Sequence, residues 1–555
     1  MTQSTACPDW QRRILAGESL TPPPLYPAEA AAALEVFKSL RVVDAPGSPT
    51  MGEACKAWIF DFVASVFGAY DADTGRRMMT EWLLSVSKKN FKSGLAAGIM
   101  MTALIRNWRE SAEYGILAPT VEVANNSFLP ARDMVRKDEE LSDLFQVQDH
   151  IRTITHRTNG ATLKVIAAEN ETVGGKKFTG VLFDELWLFG KRLNAGDMMR
   201  EATGGLTSRP EGFVISLTTM SNEAPAGVFK QKLDYARGVR DGRIKDPKFC
   251  PVLYEFPKRM IDSKEYREKK HWWVTNPNFG ASVDAERLDD LFKQASEAGE
   301  EELIGFFAKH LNVEIGLALR SDRWAGADYW QAQARESVTL ADIIRRCDVV
   351  DVGVDGGGLD DLLGLVALGR DKETKEWLLW ARAWAHPSVL ERRKSEAARF
   401  RDFAKQGDLV LVEKIGDDVE EAAEIVAEIE AAGLLDKVGV DPAGIGGILD
   451  AIVANGVPQE KVIGISQGWR LGGAIKTMER RLAEGEMIHG GQPMMAWCVG
   501  NAKVEPRGNS ILITKQASGF AKIDPLMAAF NAVSLMALNP AGAASIYNTR
   551  GIVTV

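Results

Sequence analysis

EWLLSVSKKNFKSGLAAGIM, residues 81–100, joins a short β-prone apolar run to a good helix former through a Lys-Ser pair. This strand-to-helix junction is typical of a phosphate-binding loop, because the first turn of the helix offers free N–H groups to phosphates. The pattern predicts that Lys92 contacts the β- and γ-phosphates of ATP and that Ser93 binds Mg²⁺. Phe91 stands where such loops carry glycine, so a surface Lys-Ser pair after a strand stays open as the alternative.

Two later strands end in the polar groups that a nucleotide site needs. The apolar run FTGVLFDELWLFG places Asp184 to hold the Mg²⁺ shell and Glu185 to polarise the attacking water. The run GFVISLTTMSN ends in Thr218 and Thr219, whose hydroxyls are predicted to sense the γ-phosphate. The alternatives are a carboxylate pair that caps a helix for the first segment and a plain strand end for the second.

Three carboxylates of the C-terminal half, the predicted catalytic acids of a second site, end strands or begin a helix. Asp355 ends the run VGVD before a glycine stretch, Asp441 ends a second VGVD, and Asp524 lies in the first turn of an apolar-striped helix. Three meandering strands, followed by alternating helices and strands, predict an RNase H-like fold in which the first and fourth strands are neighbours. Clustered carboxylates repel one another, so two Mg²⁺ or Mn²⁺ ions about 3.5–4 Å apart are predicted to bind there and to activate water against a phosphodiester. Asp361 is a candidate fourth ligand, and each acid alone also fits a turn or helix-capping role.

The composition bounds the class of the protein. With 555 residues, 45% of them hydrophobic, the chain suits two or three domains that each bury a core. The net charge of −9 argues against a protein coated in basic surface, so contacts with nucleic acid must come from local patches or a channel. Five scattered cysteines without a C-x-x-C pair predict a reducing cytoplasm, and no uncharged run reaches the length of a bilayer span.

Composition and pattern also predict four segments. Residues 1–50 are expected to form a Pro-rich N-terminal arm, 51–255 a P-loop ATPase core, 256–335 a polar helical linker or lid, and 336–555 the nuclease. The predicted fold class is therefore α/β, with a P-loop NTPase domain of the additional-strand (ASCE) type followed by an RNase H-like nuclease domain.

The order of these segments resembles the large terminase subunit of tailed double-stranded DNA bacteriophages. The loop of that family runs Pro or Ser, two basic residues, a variable residue and Gly-Lys-Ser/Thr, and it is similar to SKKNFKS at residues 87–93. Phe91 replaces the glycine, and Lys88 stands where several members carry an arginine that is proposed to act on the γ-phosphate. Lysine lacks the planar fork of arginine.

The resemblance extends from about residue 70 to 535 and is most specific in the nuclease half. The matching nuclease motifs are Gly353-Val354-Asp355 with Asp361, Val440-Asp441-Pro442, and Lys522-Ile523-Asp524. Segments that recur between the motifs are matched at Trp273, Asn276, Pro277, Leu311, Asn312, Trp497 and Asn501.

The resemblance implies a motor-nuclease that uses ATP to push double-stranded DNA into an empty capsid and cuts concatemeric DNA into genome lengths. It implies Mg²⁺, or Mn²⁺ in the nuclease, as the metal. The implied partners are DNA, the capsid portal protein, a small terminase subunit and further copies in a ring of five. The implied location is the host cytoplasm, docked transiently on the procapsid, without secretion or membrane contact. The residues assigned to the nucleotide are Lys88, Lys89, Asn90, Lys92, Ser93, Thr218 and Thr219.

Other classes of protein stay open at this point. Phe91 and Lys88 make a metal-dependent nuclease with a degenerate ATPase half, serving as a DNA-binding scaffold, the second interpretation. Loss of ATP hydrolysis with cutting retained would select it. A helicase-nuclease of repair is disfavoured because no helicase motif accompanies the nucleotide site. A purely structural capsid protein would not need two sets of carboxylates at strand ends.

Overall fold

A computed structural model of the chain describes residues 4–167, 177–192, 195–315, 324–335, 338–358, 361–394, 396–442, 446–507, 510–515 and 522–542. The chain divides into two units, Met1–Ile315 and Gly316–Val555. None of the helices in the described ranges has the length and apolar character needed to cross a membrane. The four-segment division with boundaries near residues 50, 255 and 335 remains a prediction.

The first unit alternates strands and helices. Its strands are β1 (Tyr70–Asp71), β2 (Arg76–Arg77), β3 (Glu81–Ser85), β4 (Glu113–Ala118), β5 (Phe145–Gln148), β6 (Thr153–His156), β7 (Thr162–Ala167), β8 (Phe178–Phe183), β9 (Phe213–Thr218) and β10 (Phe249–Leu253). Its helices are α1 (Trp10–Leu15), α2 (Pro27–Ser39), α3 (Met51–Ala54), α4 (Ala57–Phe67), α5 (Lys92–Ile105), α6 (Val121–Arg136), α7 (Glu139–Leu144), α8 (Leu186–Phe189), α9 (Ala195–Gly204), α10 (Gly227–Arg240), α11 (Lys258–Asp262), α12 (Ala285–Ala298) and α13 (Glu300–Leu311).

The main sheet of this unit has the strand order β10-β3-β9-β8-β4-β7-β6-β5. The strands from β10 to β7 are parallel, and β6 and β5 extend the sheet in antiparallel pairing. Ser85 at the end of β3 pairs with Thr218 of β9, and Phe183 at the end of β8 pairs with Ser216 of β9. Since parallel strands present their carboxyl ends at one edge, the turns after β3, β8 and β9 meet there. The position of β9 between β3 and β8 agrees with the predicted additional-strand type of P-loop fold.

The core of the first unit extends into its N-terminal helices. Phe37 of α2 is fully buried, and a Cβ built on Gly98 of α5 would lie 2.6 Å from its ring. Glycine at this position therefore allows α2 to pack closely on α5. Residues 27–39, which the sequence places in an N-terminal arm, belong to the packed body of this unit.

The second unit begins its regular structure with α14 (Ala327–Trp330) and α15 (Leu340–Arg346). Its strands are β11 (Cys347–Gly356), β12 (Leu363–Asp371), β13 (Trp377–Ala385), β14 (Leu409–Leu411), β15 (Leu435–Val440), β16 (Val462–Gly464), β17 (Met487–His489), β18 (Ala502–Arg507) and β19 (Ser510–Lys515). Its remaining helices are α16 (Ser388–Arg392), α17 (Ala397–Gln406), α18 (Asp417–Ala431), α19 (Gly446–Ala454), α20 (Gly472–Glu484), α21 (Pro493–Asn501) and α22 (Asp524–Met536).

The sheet of the second unit runs β14-β13-β12-β11-β15-β16, with β17 paired to β13. β11, β12 and β13 form an antiparallel meander, and β15 lies parallel to β11. These pairings confirm the RNase H-like order, in which the first strand neighbours the parallel strand that follows the meander. The short strand β14 lies beside β13, so the neighbour of β11 is the fifth strand in chain order and not the fourth.

Helix α22 packs against the centre of this sheet because two glycines leave room for its backbone. A Cβ built on Gly353 of β11 would lie 1.8 Å from the carbonyl oxygen of Ala528, and one on Gly364 of β12 would lie 2.7 Å from the nitrogen of Pro525. No side chain larger than hydrogen fits at either position without moving the helix. The close packing places the first turn of α22 beside the ends of β11 and β12.

Asp351 is a buried carboxyl group in the middle of β11. Its Oδ1 accepts a 3.2 Å hydrogen bond from the backbone N–H of Lys437, and its buried Oδ2 has no partner within the described ranges. Burial, assisted by the charge of Asp436, raises the pKa of Asp351 to about 7. Because the folded protein holds this proton more tightly than the unfolded chain, the contribution of Asp351 to stability falls as pH rises from about 4 to about 7.

We expect Asp351→Asn to make the second unit more resistant to unfolding at pH 8 and to change little at pH 5. The pH-dependent difference between variant and parent is at most about 1.4 kcal/mol per pH unit. Urea unfolding of the full chain at both pH values, followed by tryptophan fluorescence, measures it. A variant that tracks the parent at both pH values would show that Asp351 does not titrate in this range.

Candidate nucleotide and nuclease sites

The turn after β3 has the backbone shape of a phosphate loop. Ser85 ends the strand, Lys92 begins α5, and between them Lys89 and Phe91 hold φ angles of 68° and 65°. This left-handed conformation is open to glycine and rarely adopted by residues with a side chain. Phe91 therefore keeps the conformation for which phosphate loops use glycine.

The ring of Phe91 lies against Gly94 in the first turn of α5. A Cβ built on Gly94 would be 2.3 Å from Cζ of this ring, which is closer than side-chain atoms approach one another. The ring therefore uses the space that the glycine leaves, and Phe91 is half-buried. The unusual residue of the loop is thus accommodated by a second residue three positions later.

We expect Gly94→Ala to weaken ATP binding about tenfold, because the added methyl group displaces the Phe91 ring and the loop backbone attached to it. Phe91→Gly in the same chain removes the clash and should bring the affinity back to within about threefold of the parent. Titration with a fluorescent ATP analogue measures both. Gly204→Ala on α9 is the matched control, since a Cβ there meets nothing within 4 Å. Unchanged affinity in Gly94→Ala would contradict the proposed contact.

The predicted ATP-binding groups come together at the carboxyl edge of the main sheet. The Lys92 ammonium donates hydrogen bonds to the Thr219 hydroxyl and, over 3.4 Å, to the carbonyl oxygen of Val86. Asp184 Oδ2 accepts a 2.6 Å hydrogen bond from the hydroxyl of Ser127 on α6. The side chains of Lys92, Thr219 and Asp184 are all buried.

Glu185 follows β8 in a left-handed turn, with φ of 53°. Its Oε2 accepts a 2.6 Å hydrogen bond from the indole Nε1 of Trp187, and the backbone N–H of Trp187 donates to the hydroxyl of Thr218 over 3.2 Å. Glu185, the predicted catalytic base, therefore has a strained backbone conformation. The hydrogen bonds of Trp187 therefore link Glu185, after β8, to Thr218 at the end of β9.

The charges of these groups suit a cation. Burial lowers the pKa of the Lys92 ammonium, and the nearby carboxylates of Glu185 and Asp184 oppose this effect. Burial, followed by the charge of Glu185, raises the pKa of Asp184 to about 6. A divalent cation would relieve the repulsion between the two acids, so Asp184 fits the predicted Mg²⁺ position. Ser93, the second residue of α5, is half-buried and supplies a hydroxyl oxygen of the kind that binds Mg²⁺.

The other three predicted loop residues differ in their surroundings. Lys89 is exposed, and Lys88 is half-buried with its backbone N–H donating to the carbonyl oxygen of Lys309 over 2.8 Å. Asn90, predicted to bind the nucleotide, is fully buried, and its side-chain amide donates to Asn276 Oδ1 over 2.8 Å. Its amide is therefore used inside the protein, and its side chain supports the loop instead of facing a phosphate.

Two of the predicted nuclease acids lie at the carboxyl ends of neighbouring parallel strands. Val354 of β11 pairs with Val440 of β15, so Asp355 and Asp441 come next to each other at the carboxyl ends of these strands. Both acids are half-buried. The arrangement is the one that the sequence predicts for the first strand and its parallel neighbour.

Asp524, at the first position of α22, approaches the same strand ends. A Cβ built on Gly356, the residue after Asp355, would lie 3.2 Å from Asp524 Cβ. Gly356 has a φ of 90°, so glycine is needed there for its backbone as well as for this approach. Asp524 is buried.

The predicted nuclease acids approach the same strand ends, but their side chains are not arranged around one common point. Among the residues that the structure describes, no three Asp, Glu, His or Cys side chains are placed to hold one metal ion. The Lys522 ammonium, 1% exposed, hydrogen-bonds Asp361 Oδ1, so this acid already has an internal cation as its partner. The expectation of one site with Asp361 as a further ligand stays a prediction, and a metal ion would have to compete with Lys522 for this acid. The carboxylate oxygens of Asp355, Asp441 and Asp524 still fit Mg²⁺ or Mn²⁺ in their chemistry.

Sequence reasoning missed several residues that support the two sites. Ser127 and Trp187 bind Asp184 and Glu185, and neither lies in a pattern that signals such a role. Lys522 was noted only as part of a Lys-Ile-Asp motif, although its position two residues before Asp524 was a usable signal. Asn276 was likewise noted as a matching residue without a role.

Comparison with known proteins finds two matching family models and a set of relatives. The model of the terminase large subunit ATPase domain matches residues 58–238, and the model of the terminase large subunit endonuclease domain matches residues 249–539. The large terminase subunit of Enterobacteria phage HK97 is 24% identical over 484 residues, which cover 84% of this chain and 88% of the relative. Protein YmfN of Escherichia coli strain K12 is 25% identical over 351 residues, which cover 59% of this chain and 72% of that protein. The crystal structure of the HK97 large terminase aligns with a TM-score of 0.47 and 19% identity, covering 91% of this chain and 99% of that one.

Proposed function

This chain belongs to the terminase large subunit family, and we propose that its ATPase and endonuclease activities reside at two separate sheet edges. It is a DNA-packaging motor with endonuclease activity, and it uses a nucleotide and a divalent metal. The observation that carries the assignment of residues is the strand register. It brings the turns that hold Lys92, Asp184 and Thr219 to one edge and sets Asp355 beside Asp441 at the other.

In the first unit, Lys92 binds the β- and γ-phosphates of ATP and leaves its hydrogen bond to Thr219 when it does so. Lys88 and Lys89 add positive charge near the phosphates, and Ser93 and Asp184 hold Mg²⁺. A bound ion would neutralise the charge that develops on the phosphates.

Glu185 acts as the general base of ATP hydrolysis. It accepts a proton from the attacking water, while the indole N–H of Trp187 fixes one oxygen of its carboxylate. Thr218 and Thr219 sense the γ-phosphate, because Thr218 accepts a hydrogen bond from the turn that carries Glu185 and Thr219 accepts one from Lys92. The phosphate state is in this way read by Thr218, which ends β9, and by Thr219, which follows it.

In the second unit, Asp355, Asp441 and Asp524 would hold one or two Mg²⁺ or Mn²⁺ ions. Ions bound there would activate water as the nucleophile and would stabilise the charge on the phosphodiester. Lys522, which is buried and lies two residues before Asp524 in the chain, pairs with Asp361. The side chains proposed to cleave DNA thus come from the ends of two neighbouring strands and from the helix that packs on them.

The finer picture of the packaging machinery rests on membership of the family. We propose double-stranded DNA, the portal protein and a small terminase subunit as partners, and a ring of five copies docked on the procapsid in the host cytoplasm. Support comes from the two domain matches, which cover both halves of the chain. The four-segment division, with residues 256–335 as linker or lid, is proposed on the same ground.

The test of the ATP site compares the parent protein with Lys92→Ala in DNA-stimulated ATP hydrolysis and in Mg²⁺-dependent plasmid cleavage. We expect Lys92→Ala to lower ATP turnover by at least about a hundredfold and to leave cleavage within about twofold of the parent. Lys230→Ala is the matched control, because Lys230 lies on α10 in an exposed ion pair with Asp234.

Two outcomes would change this reading. If the parent cleaves DNA but shows no ATP turnover even with portal and small subunit added, the first unit is a scaffold that binds DNA. If Lys92→Ala turns over ATP like the parent, the nucleotide lies elsewhere. The retained positive φ of Phe91 favours a working loop over both.

A further inference from the structure

Three buried asparagines connect the phosphate loop to a segment nearly two hundred residues later. Asn90 Nδ2 donates to Asn276 Oδ1 over 2.8 Å, and Asn90 Oδ1 accepts a 2.9 Å hydrogen bond from the backbone N–H of Asn278. The exposures of Asn90, Asn276 and Asn278 are 0%, 1% and 4%. These three residues are called the asparagine clamp below.

The clamp is tied to the backbone of the loop itself. Asn90 Nδ2 also donates to the carbonyl oxygens of Ser87 and Lys88, over 3.1 and 3.3 Å. Asn278 Nδ2 donates to Ser282 Oγ, which in turn donates to the carbonyl oxygen of Lys89 over 2.7 Å. The carbonyl groups of three consecutive loop residues thus accept hydrogen bonds from side chains.

Asn276 and Asn278 also form hydrogen bonds with other parts of the unit. Asn276 Nδ2 donates to the carbonyl oxygens of Trp272 and His310, each over 2.9 Å, and Asn278 Oδ1 accepts a 2.7 Å hydrogen bond from the indole of Trp58. A buried amide without partners is destabilising, and these amides have hydrogen-bond partners at both their oxygen and nitrogen ends. A buried polar network that is this fully bonded specifies one arrangement of the groups it joins.

The phosphate loop contains two residues in a strained backbone conformation. Lys89 and Phe91 both have positive φ, a conformation that is unfavourable for residues with a side chain. A loop with glycine reaches the shape without help, whereas this loop has none between β3 and α5. The backbone is fixed instead by Asn90, which bonds the carbonyl groups of Ser87 and Lys88, and by Ser282, which bonds that of Lys89. Asn276 and Asn278 hold Asn90 from outside the loop.

We propose that Asn90, Asn276 and Asn278 are positioning residues of the ATPase, which hold the phosphate loop in its binding shape in place of the missing glycine. The inference rests on the proposed nucleotide site at Lys92. It assigns to residues 276–282, in the predicted linker or lid, control over ATP affinity without contact to the nucleotide.

The test is Asn90→Asp in the full-length protein, assayed for DNA-stimulated ATP hydrolysis over a range of ATP concentrations. The change keeps the size of the side chain and removes the donor that binds Asn276 and the two loop carbonyls. We expect the KM for ATP to rise at least tenfold, with kcat lowered less and plasmid cleavage unchanged. Asn159→Asp is the matched control, since Asn159 bonds Asn107 and Ala161 in the same unit and does not touch the loop.

A milder variant covers the case in which Asn90→Asp does not fold. Ser282→Ala removes a single hydroxyl that bonds Lys89, and Ser282 is exposed. We expect its KM for ATP to rise two- to fivefold with an unchanged circular dichroism spectrum. A parental KM in the folded variant, or an equal rise in Asn159→Asp, would overturn the proposal.

Lys92→Ala in the same preparation separates the two possible failures. If Lys92→Ala loses turnover while Asn90→Asp keeps the parental KM, only the clamp is refuted. If Lys92→Ala keeps the parental rate of ATP turnover, the nucleotide does not bind at Lys92, and the proposed role of the clamp is refuted as well.

Discussion

Glu185→Gln lowers the rate of ATP hydrolysis by about a hundredfold to ten-thousandfold and leaves ATP binding within about threefold. Glutamine keeps the hydrogen bond from Trp187 to an oxygen at this position but has no lone pair basic enough to take a proton from water. Binding depends on Lys92 and the loop, which the substitution does not touch. Single-turnover hydrolysis and titration with a fluorescent ATP analogue measure the two quantities separately.

Glu223→Gln is the control for this prediction. Glu223 lies in the turn after β9 and pairs with Lys191. The substitution therefore removes one negative charge from the surface of the same unit and does not alter Glu185. Its hydrolysis rate should stay within about twofold of the parent. A Glu185→Gln enzyme that hydrolyses ATP at the parental rate would remove Glu185 from the mechanism and leave the base to be found elsewhere.

Asp355→Asn and Asp441→Asn each reduce Mg²⁺-dependent plasmid cleavage by at least about a hundredfold, while ATP turnover stays near that of the parent. Each change removes one negative charge from neighbouring strand ends and weakens the hold on a divalent ion. Isothermal titration with Mn²⁺ gives a readout that does not depend on cleavage. The expected result is a loss of heat at the nuclease site in both variants.

Glu428→Gln, on the exposed face of α18, is the matched control for the nuclease variants. It takes one charge from the same unit at a distance from the strand ends and should leave cleavage and Mn²⁺ binding unchanged. Cleavage that survives in both Asp355→Asn and Asp441→Asn would show that the described acids do not carry the reaction.

Much of the arrangement of the candidate nucleotide site was predictable because its reactive groups lie in short segments at strand ends. Lys92 and the Asp184-Glu185 pair follow apolar strands, Thr218 ends one, and parallel strands bring such ends to one edge. The supporting side chains were not predictable. Ser127 bonds Asp184 from 57 residues away, and no local pattern marks a serine in the middle of a helix as a partner of a carboxylate.

The nuclease half shows the same division. The pattern of strands placed Asp355 beside Asp441 because the register of a parallel pair follows from the fold class. The pairing of Asp361 with Lys522, 161 residues away, does not follow from it. Charged side chains are long and flexible, so the choice between a metal and a lysine as the partner of an acid depends on packing around both.

The sequence by itself determined the order of strands and helices, the two-part α/β architecture and the positions of the reactive groups at strand ends. These properties depend on the period of apolar residues and on local backbone preferences, both of which are contained in short stretches of chain. Only the tertiary structure decided how Phe91 is tolerated. Its ring uses the space above Gly94, and Asn90 meets an asparagine 186 residues away, because contacts between distant side chains arise only when the whole core has packed.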